Sequence, residues 1–134
     1  PEGDGILMGL LLLEVMACAG APLHEIVADL QATYGPAHYA RIDAHLAHKV
    51  PKADMVRMLS ESAPASIGGE SVIQVDTLDG VKFYLADRSW LLIRPSGTEP
   101  TLRIYAEAHT PERVKLLLET GTDMGYRVTA MSAT

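Results

Sequence analysis

Disulfides and basic clusters are missing from this sequence, and aromatic residues are few. Its 134 residues include one cysteine, Cys18, so an internal disulfide is excluded, which fits a reducing compartment such as the cytoplasm. The formal net charge is -6 and no run of lysines or arginines occurs, so the sequence predicts no nucleic-acid partner. Because Cys18 lies in an apolar segment, we expect it to be a small buried hydrophobic residue.

Long hydrophobic runs are also missing, apart from one near the start of the chain. The apolar stretch from Ile6 to Met16 is too short to span a bilayer, and Glu14 interrupts it. The preceding residues Glu2 and Asp4 are acidic where a signal peptide requires positive charge, so we predict no membrane association. A helix that is apolar on every side is typical of the interior of a larger protein. Since the chain also starts with a proline, we expect it to be a fragment.

The first part of the chain is predicted to form two helices. Residues 6–19 form the first, with Asp4 as its N-cap and Gly20 at its end. Apolar residues recur at helical spacing over residues 23–34, and Gly35 followed by a proline supplies a stop. Both helices lie before any strand pattern.

The remainder of the chain changes from helical to alternating periodicity, which predicts an α+β fold. A helix follows Pro51, and the closing helix has Thr110 as N-cap and a proline at its first position. Between them, "SVIQVDTLDGVKFYLA" predicts a hairpin around Asp79 and Gly80, and "SWLLI" and "TLRIYAEA" predict two more strands. We expect a four-stranded, mainly antiparallel sheet with helices on one face, leaving open the face that carries Arg103.

A polar segment, "RPSGTEP", separates the last two predicted strands. The two strand patterns stand about eight residues apart, whereas a bare hairpin turn needs about two to five. Pro95 and Pro100 bracket the segment and limit its freedom, so less order has to be imposed when a ligand arrives. We therefore interpret the segment as a functional loop.

The residue types in this loop favour phosphate binding. Arg94 offers a fork of donors that matches phosphate oxygens, Ser96 and Thr98 carry hydroxyl donors, and Gly97 allows backbone N–H groups to approach closely. Arg103 stands just past the loop on the open sheet face. The motif is neither a Walker loop nor a dinucleotide fingerprint, so it does not predict nucleotide binding. The alternative is an ordinary turn, because Ser, Gly, Thr and Pro are common turn residues.

Acidic and histidine residues do not predict a metal site. Glu99 lies in the loop, where a carboxylate would repel a phosphate, so we expect it to point away, toward Arg103 or a backbone amide. His45 and His48 are three residues apart but lack an evident third ligand. Scattered aspartates are interpreted as caps, turn residues or solvated charges: Asp43, Asp54, Asp76, Asp79 and Asp87.

The loop also carries a family resemblance. "RPSGTEPTLRIYAEA" resembles the C-terminal phosphate-binding loop of the α-D-phosphohexomutases, the phosphoglucomutase and phosphomannomutase superfamily. "GDGILMGLLLLEVMACAGAPLHEIVADLQATYG" is similar to the last helices of that family's third domain, an α/β/α domain. The resemblance implies that residues 1–36 are a helical remnant of the third domain and that residues 51–134 are the fourth. Residues 37–50, whose alternation is only partial, are expected to be extended or a linker.

What the resemblance implies for function is a role in a phosphotransferring isomerase of carbohydrate metabolism. Such enzymes interconvert hexose 1-phosphates and hexose 6-phosphates through a bisphosphate, with a serine nucleophile and Mg²⁺ bound by loops that this chain lacks. No catalytic residue is therefore expected here, and the chain should not turn over alone. The substrate phosphate that is not being transferred would be bound by the matching positions: Arg94, Ser96, Gly97, Thr98 and, less directly, Arg103.

Two further expectations concern partners. In the family's enzyme the partners would be the hexose phosphate or bisphosphate and the other domains, while the choice of hexose stays open because the loop contacts only phosphate. A rival interpretation is a stand-alone interaction module whose helices over residues 6–34 dock a partner. The apolar residues 6–19 also predict self-association of the isolated chain.

Overall fold

The computed structural model describes residues 3–47 and 49–131, so His48 of the histidine pair lies outside the described residues. The chain divides into two compact units at the boundary between residues 36 and 37. Each unit is described by itself.

The first unit consists of two helices, α1 (Gly5–Ala19) and α2 (Leu23–Tyr34), as predicted. The Asp4 carboxylate caps α1 by accepting hydrogen bonds from the Ile6 and Leu7 amides at 3.0 and 3.1 Å. Gly20 ends the helix in the left-handed conformation, with φ of 64°, which glycine adopts without a steric penalty.

The apolar side chains of α1 are exposed in the described structure except for Met16, which is half-buried. Cys18 is exposed as well, so the prediction that it is buried is wrong. Within the described residues no single helix is long and apolar enough to cross a membrane. The helices α1 and α2 meet that requirement only as a pair, with a 77° bend between them.

The second unit contains one antiparallel sheet built, among the described residues, from six strands in the order β1-β6-β5-β4-β3-β2. The strands are β1 (His38–His45), β2 (Ser66–Ile67), β3 (Glu70–Asp76), β4 (Val81–Leu85), β5 (Trp90–Pro95) and β6 (Thr101–Ala108). The predicted α+β class and antiparallel pairing are confirmed, but the prediction of four strands is wrong. The predicted hairpin between β3 and β4 is confirmed, and the Asp-Gly pair lies at the end of its connection, residues 77–80.

The two strands that sequence analysis missed lie at the edges of the sheet. The strand β1 falls in the segment expected to be extended or a linker, yet it pairs along its whole length with β6, from His38 opposite Ala108 to His45 opposite Thr101. Its alternation is weak because Ala44 is its only fully buried residue. The strand β2 has two residues, too few to show any period. Tertiary pairing, rather than local pattern, therefore defines both strands.

Two helices, α3 (Lys52–Glu61) and α4 (Pro111–Met131), contact each other and the sheet, α4 along β1, β5 and β6. The Thr110 hydroxyl accepts a hydrogen bond from the Arg113 amide at 3.2 Å, which confirms the predicted N-cap of α4. Fully buried side chains fill the space between helices and sheet. They include Met55, Leu59, Phe83, Leu91, Ile93, Leu102, Ile104 and Leu117.

The opposite face of the sheet carries polar and aromatic side chains. The Tyr39 ring lies 6.2 Å from the Trp90 ring and 6.4 Å from the Tyr105 ring, between centroids. The Lys82 ammonium stands 4.0 Å above the Trp90 ring, a cation–π distance. Arg103 lies on this face too. It is two residues before Tyr105 on β6 and is paired with Arg94 on β5, and residues in these positions share a face of the sheet.

Arg113 joins the first turn of α4 to two turns of the sheet. Its Nε lies 3.1 Å from a carboxylate oxygen of Asp87, and its Nη atoms donate to the carbonyl oxygens of Ile67 and Gly68. Burial opposes ionisation of Asp87, but hydrogen bonds from Ser89 and the charge of Arg113 outweigh it and lower the pKa of Asp87. The aspartate interpreted from sequence as a turn or solvated charge is thus part of an anchor between helix and sheet.

Two glycines let α4 lie unusually close to the sheet. A Cβ at Gly121 would stand 2.8 Å from both Leu91 Cδ1 and Ile104 Cγ2, closer than atoms can pack. A Cβ at Gly125 would collide with Leu102 Cδ1. These three sheet side chains are fully buried, so they have no free space into which to move.

Replacing Gly125 with alanine is predicted to lower the free energy of unfolding by about 1 kcal/mol. Alanine gains about 1 kcal/mol of helix propensity, but overpacking of a filled core costs about 1–3 kcal/mol. Chemical denaturation of Gly125→Ala, of Leu102→Val and of the double variant measures both terms. Leu102→Val removes the colliding methyl. The double variant should therefore lose less free energy of unfolding than the two single variants lose together. Strict additivity would contradict the packing argument.

Candidate functional site

The polar loop connects two strands that are neighbours in the sheet. In the β5–β6 pair, Arg94 lies opposite Arg103 and Pro95 opposite Leu102, so residues 96–100 form the connection. The loop is therefore shorter than the strand patterns indicate, because those patterns leave residues 94–100 outside the strands. Arg94 and Pro95 account for the difference, because they continue β5 although neither fits an apolar strand pattern.

The loop is held in shape mainly by its own atoms. The Ser96 amide donates to the Thr101 carbonyl at 2.8 Å, and the Thr101 amide donates to the Glu99 carbonyl at 2.8 Å. The Ser96 hydroxyl accepts a hydrogen bond from the Glu99 amide at 3.3 Å. At the far end, the Pro100 carbonyl accepts from the Leu46 amide at 2.8 Å, which ties the loop to the residue after β1. These hydrogen bonds within the chain fix the backbone of the connection.

Two backbone amides at the tip of the loop have no hydrogen-bond acceptor within the described residues. Gly97 and Thr98 are exposed, and their amides donate to no other group among the described residues. A Cβ at Gly97 would meet nothing within 4 Å, and its φ does not lie in the left-handed region. The fold itself therefore does not require glycine at this position. Ser96 is 8% exposed, with its hydroxyl turned into the loop.

Two arginines face each other where the loop leaves the sheet. Arg94 and Arg103 are directly opposite in the β5–β6 register, an arrangement that is unfavourable for like charges unless an anion compensates. Asp43 lies opposite Arg103 on β1, but its carboxylate pairs with Arg41 at 2.9 Å. The Arg103 Nε is buried and has no hydrogen-bond partner among the described atoms.

Three further residues belong to this region, and the sequence analysis did not assign them to it. The Lys49 ammonium donates to the Gly97 carbonyl at 2.7 Å. The Asp79 carboxylate pairs with Lys52 at 3.0 Å and with Arg94 at 2.9 Å. Lys49, Lys52, Arg94 and Arg103 together are called the basic cluster below. The contact of Lys49 with Gly97 spans 48 residues of sequence and that of Lys52 with Asp79 spans 27. The only sequence signal that could have pointed to these residues was the short spacing of the two lysines.

The charges around Asp79 affect its ionisation. The hydrogen bond from Lys52 is the main cause that lowers the pKa of Asp79 below its ordinary value of 3.8. Burial acts in the opposite direction, and the charges of Arg94 and Lys52 add to the lowering. The carboxylate therefore stays ionised, and keeps both cations, throughout the neutral range.

Glu99 and His45 are the two other polar residues near the loop that were considered from the sequence. Glu99 is exposed, and within the described part of the chain it forms no ion pair with Arg103, one of the two partners considered from the sequence. His45 lies with its Nδ1 3.4 Å from the Thr101 hydroxyl. Over residues 3–47 and 49–131, no three His, Cys, Asp or Glu side chains come together in a way that fits a metal ion.

Comparison with known protein families shows to which family this chain belongs. Residues 40–120 match the family model described as phosphoglucomutase/phosphomannomutase, C-terminal domain. The chain belongs to this family. The match starts inside β1 and extends into α4, so it covers nearly the whole sheet of the second unit together with the loop. The resemblance of the loop and its flanking strands to this family is thereby confirmed.

Individual relatives of this phosphoglucomutase/phosphomannomutase domain are longer proteins. A phosphoglucosamine mutase of Methanococcus maripaludis (strain C5 / ATCC BAA-1333) is 34% identical over 125 residues, 92% of this chain and 25% of the relative. A phosphoglucosamine mutase of Methanococcus aeolicus is 38% identical over 120 residues, 88% of the chain and 24% of the relative. A phosphopentomutase of Thermococcus kodakarensis is 36% identical over 114 residues, 85% of the chain and 24% of the relative. The chain thus spans about a quarter of the length of these relatives.

The midpoint of Asp79 titration is predicted to lie below 3.8, because Lys52 favours the ionised form. A lowered pKa in the folded state means that the ion pairs contribute to stability above pH 3.8 and lose that contribution as the pH falls through the lowered value. An NMR titration of the side-chain carboxyl carbon measures the midpoint. Lys52→Met should raise it toward 3.8. A wild-type midpoint at or above that value would contradict the pairing.

Proposed function

We propose that the loop and the two arginines beside it bind the phosphate group of a sugar phosphate, the one that is not being transferred. The observation that carries the proposal is the set of unpartnered donors at one place. The amides of Gly97 and Thr98 donate to no other group among the described residues, and next to them Arg94 faces Arg103, whose Nε is buried without a partner in the described structure. Buried or opposed donors of this kind are stabilised by a bound anion.

The chemistry of each group fits a tetrahedral phosphate. A guanidinium supplies paired N–H donors, and the hydroxyl of Ser96 still has a hydrogen to donate while its oxygen accepts from Glu99. The Thr98 hydroxyl is exposed at the loop tip. Since the hydrogen bonds within the loop already fix its backbone, little conformational entropy is lost on binding.

We propose further that the parent protein is an isomerase that moves a phosphate group between positions of one sugar. The relatives are named phosphoglucosamine mutase and phosphopentomutase. A loop that binds only phosphate serves sugars of either kind, so the names do not conflict with the site. Because two of these relatives are named for glucosamine phosphate, we take an amino sugar phosphate as the first substrate to test, ahead of glucose and mannose phosphates.

The serine nucleophile and the Mg²⁺ site of such an enzyme are proposed to lie in other parts of the parent protein. The described residues do not fit a metal ion, since they bring together no set of three potential ligands. The role of this chain is accordingly binding and orientation of phosphate, and we do not expect the chain alone to turn over substrate. The single cysteine supports a cytoplasmic location, which stays a prediction.

Inorganic phosphate, glucose 1-phosphate and glucosamine 6-phosphate are predicted to shift the same amide signals of the chain, those of Ser96, Gly97 and Thr98. Each charged hydrogen bond contributes about 1.5–3 kcal/mol, but association costs about 4 kcal/mol or more. The dissociation constants should therefore be millimolar at best and similar for the three ligands. An NMR titration of the amide spectrum measures them.

The matched variants for this titration are Arg94→Ala and Arg57→Ala. Both remove one positive charge, but Arg57 lies on α3 and pairs with Asp54 and Glu61, away from the loop. Arg94→Ala should abolish saturable shifts, and Arg57→Ala should leave them unchanged. Equal effects of the two changes would mean that the chain attracts phosphate only by its general charge, and would refute a built site.

A second proposal follows from the exposed apolar helix α1, and it keeps the rival interpretation as a docking module open. Ile6, Leu10 and Leu13 are 80%, 58% and 60% exposed. Contiguous apolar surface of this kind favours association.

We expect the isolated chain to form dimers or larger species in multi-angle light scattering, and a chain that lacks residues 1–20 to be monomeric. The deletion removes the whole of α1, including the exposed apolar side chains. A full chain that is monomeric at all concentrations would refute self-association through this helix. Binding of phosphate by the shortened chain would separate this property from the function of the loop.

A further inference from the structure

We propose that Asp79 is a positioning residue of the phosphate site: its carboxylate holds Arg94 and Lys52 beside the loop and leaves the outer edge of the Arg94 guanidinium for the ligand. This inference rests on the proposed function. It goes beyond that function by assigning a role to an acidic residue, whose charge alone would weaken the binding of an anion.

The hairpin turn between β3 and β4 places Asp79 against the site. Gly80 follows it with φ of 106°, a conformation that favours glycine. A Cβ at Gly80 would lie 2.5 Å from the Ile93 carbonyl oxygen and 3.0 Å from the Arg94 Cα. The turn is therefore pressed onto the end of β5, so the backbone fixes the distance between Asp79 and Arg94.

The two carboxylate oxygens of Asp79 are used separately. Oδ1 accepts a hydrogen bond from Lys52 Nζ at 3.0 Å, and Oδ2 lies 2.9 Å from Arg94 Nε. The ion pair with Arg94 is thus made through Nε, while the Nη atoms donate no hydrogen bond to any other described residue. A guanidinium held at one edge still has donors at the other, which is the edge available to a phosphate oxygen pair.

Positioning offsets the unfavourable charge of Asp79. The Arg94 side chain is 39% exposed, so without a partner it would sample several rotamers, and ordering it would cost binding free energy. The carboxylate instead orders Arg94 before the ligand arrives. The basic cluster keeps an excess of positive charge, because Asp79 is a single negative charge shared by Lys52 and Arg94.

The alternative is that Asp79 serves only as a turn residue of an Asp-Gly hairpin. The substitution Asp79→Asn separates the two roles, because asparagine is also common in such turns but carries no charge. If Asp79 acts only in the turn, the change raises the net charge of the site by one, and phosphate should bind more tightly. If Asp79 positions Arg94, phosphate should bind more weakly despite the added positive charge.

The experiment measures the dissociation constant of inorganic phosphate for the 134-residue chain and its variants by NMR titration. We expect Asp79→Asn to weaken binding about 3- to 10-fold, the cost of ordering one long side chain. Asp76→Asn is the matched control, because Asp76 lies on the same hairpin and its oxygen accepts from the Leu78 amide, which asparagine can also do. The control should bind phosphate as well as, or more tightly than, the wild type.

A measurement without ligand completes the test. The order parameter of the Arg94 Nε–Hε bond should fall in Asp79→Asn and stay unchanged in Asp76→Asn. If Asp79→Asn does not fold, as judged by its amide spectrum, Asp79→Glu replaces it. Glutamate keeps the charge but moves the carboxylate by one methylene, so a weaker binding of phosphate would be due to position alone.

The outcomes distinguish this inference from the proposed function. If the wild type does not bind phosphate, the proposed function fails, and the role of Asp79 in it fails as well. If the wild type binds but Asp79→Asn binds equally well or more tightly, the positioning role alone is refuted. An unchanged order parameter of Arg94 in Asp79→Asn would refute it too. Weaker binding together with greater mobility of Arg94 supports it.

Discussion

The close approach of α4 to the sheet determines how the second unit is arranged. Gly121 and Gly125 bring the helix backbone within reach of Leu91, Leu102 and Ile104, so one face of β5 and β6 is completely buried. Because side chains alternate along a strand, burial of that set directs every second residue to the other face. Arg94 and Arg103 belong to the second set. Their position follows from the packing of the helix on the opposite side of the sheet.

The same packing gives the loop rigid supports. The strand β6 pairs with β5 on one side and β1 on the other, and both ends of the loop continue directly into this three-stranded region. A short connection between two well-packed strands has few conformations available. The site is thus built on the rigid part of the unit, while its basic side chains come from four separate positions in the sequence: Lys49, Lys52, Arg94 and Arg103.

Features set by neighbouring residues were predictable from the sequence. The cap at Asp4, the Asp-Gly hairpin and the cap at Thr110 depend on side chains a few residues from the backbone groups that they contact, and all three were found. The strand β1 was not predicted, because its pairing with β6 bridges more than 50 residues and only Ala44 shows burial.

Long-range contacts also explain what the sequence missed at the site. The loop residues were identified because their types and their order carry a chemical pattern. The contact of Lys49 with Gly97 and the shared carboxylate of Asp79 have no such pattern, since lysines near a proline and an Asp-Gly turn occur in many settings. The Asp79 contacts form only because the fold places the β3–β4 turn on the end of β5.

The basic cluster bears on how fast anions reach the loop, because the chain as a whole has a net charge of -6. A chain of this net charge repels a dianion on average, whereas the basic cluster places four cationic side chains near the loop. A field that changes sign over a short distance guides diffusing anions to one location, and this guidance weakens as salt screens the charges. For the phosphate binding proposed above, the acidic remainder of the chain would add selectivity without contacting the ligand, because it would lower the number of unproductive encounters away from the loop.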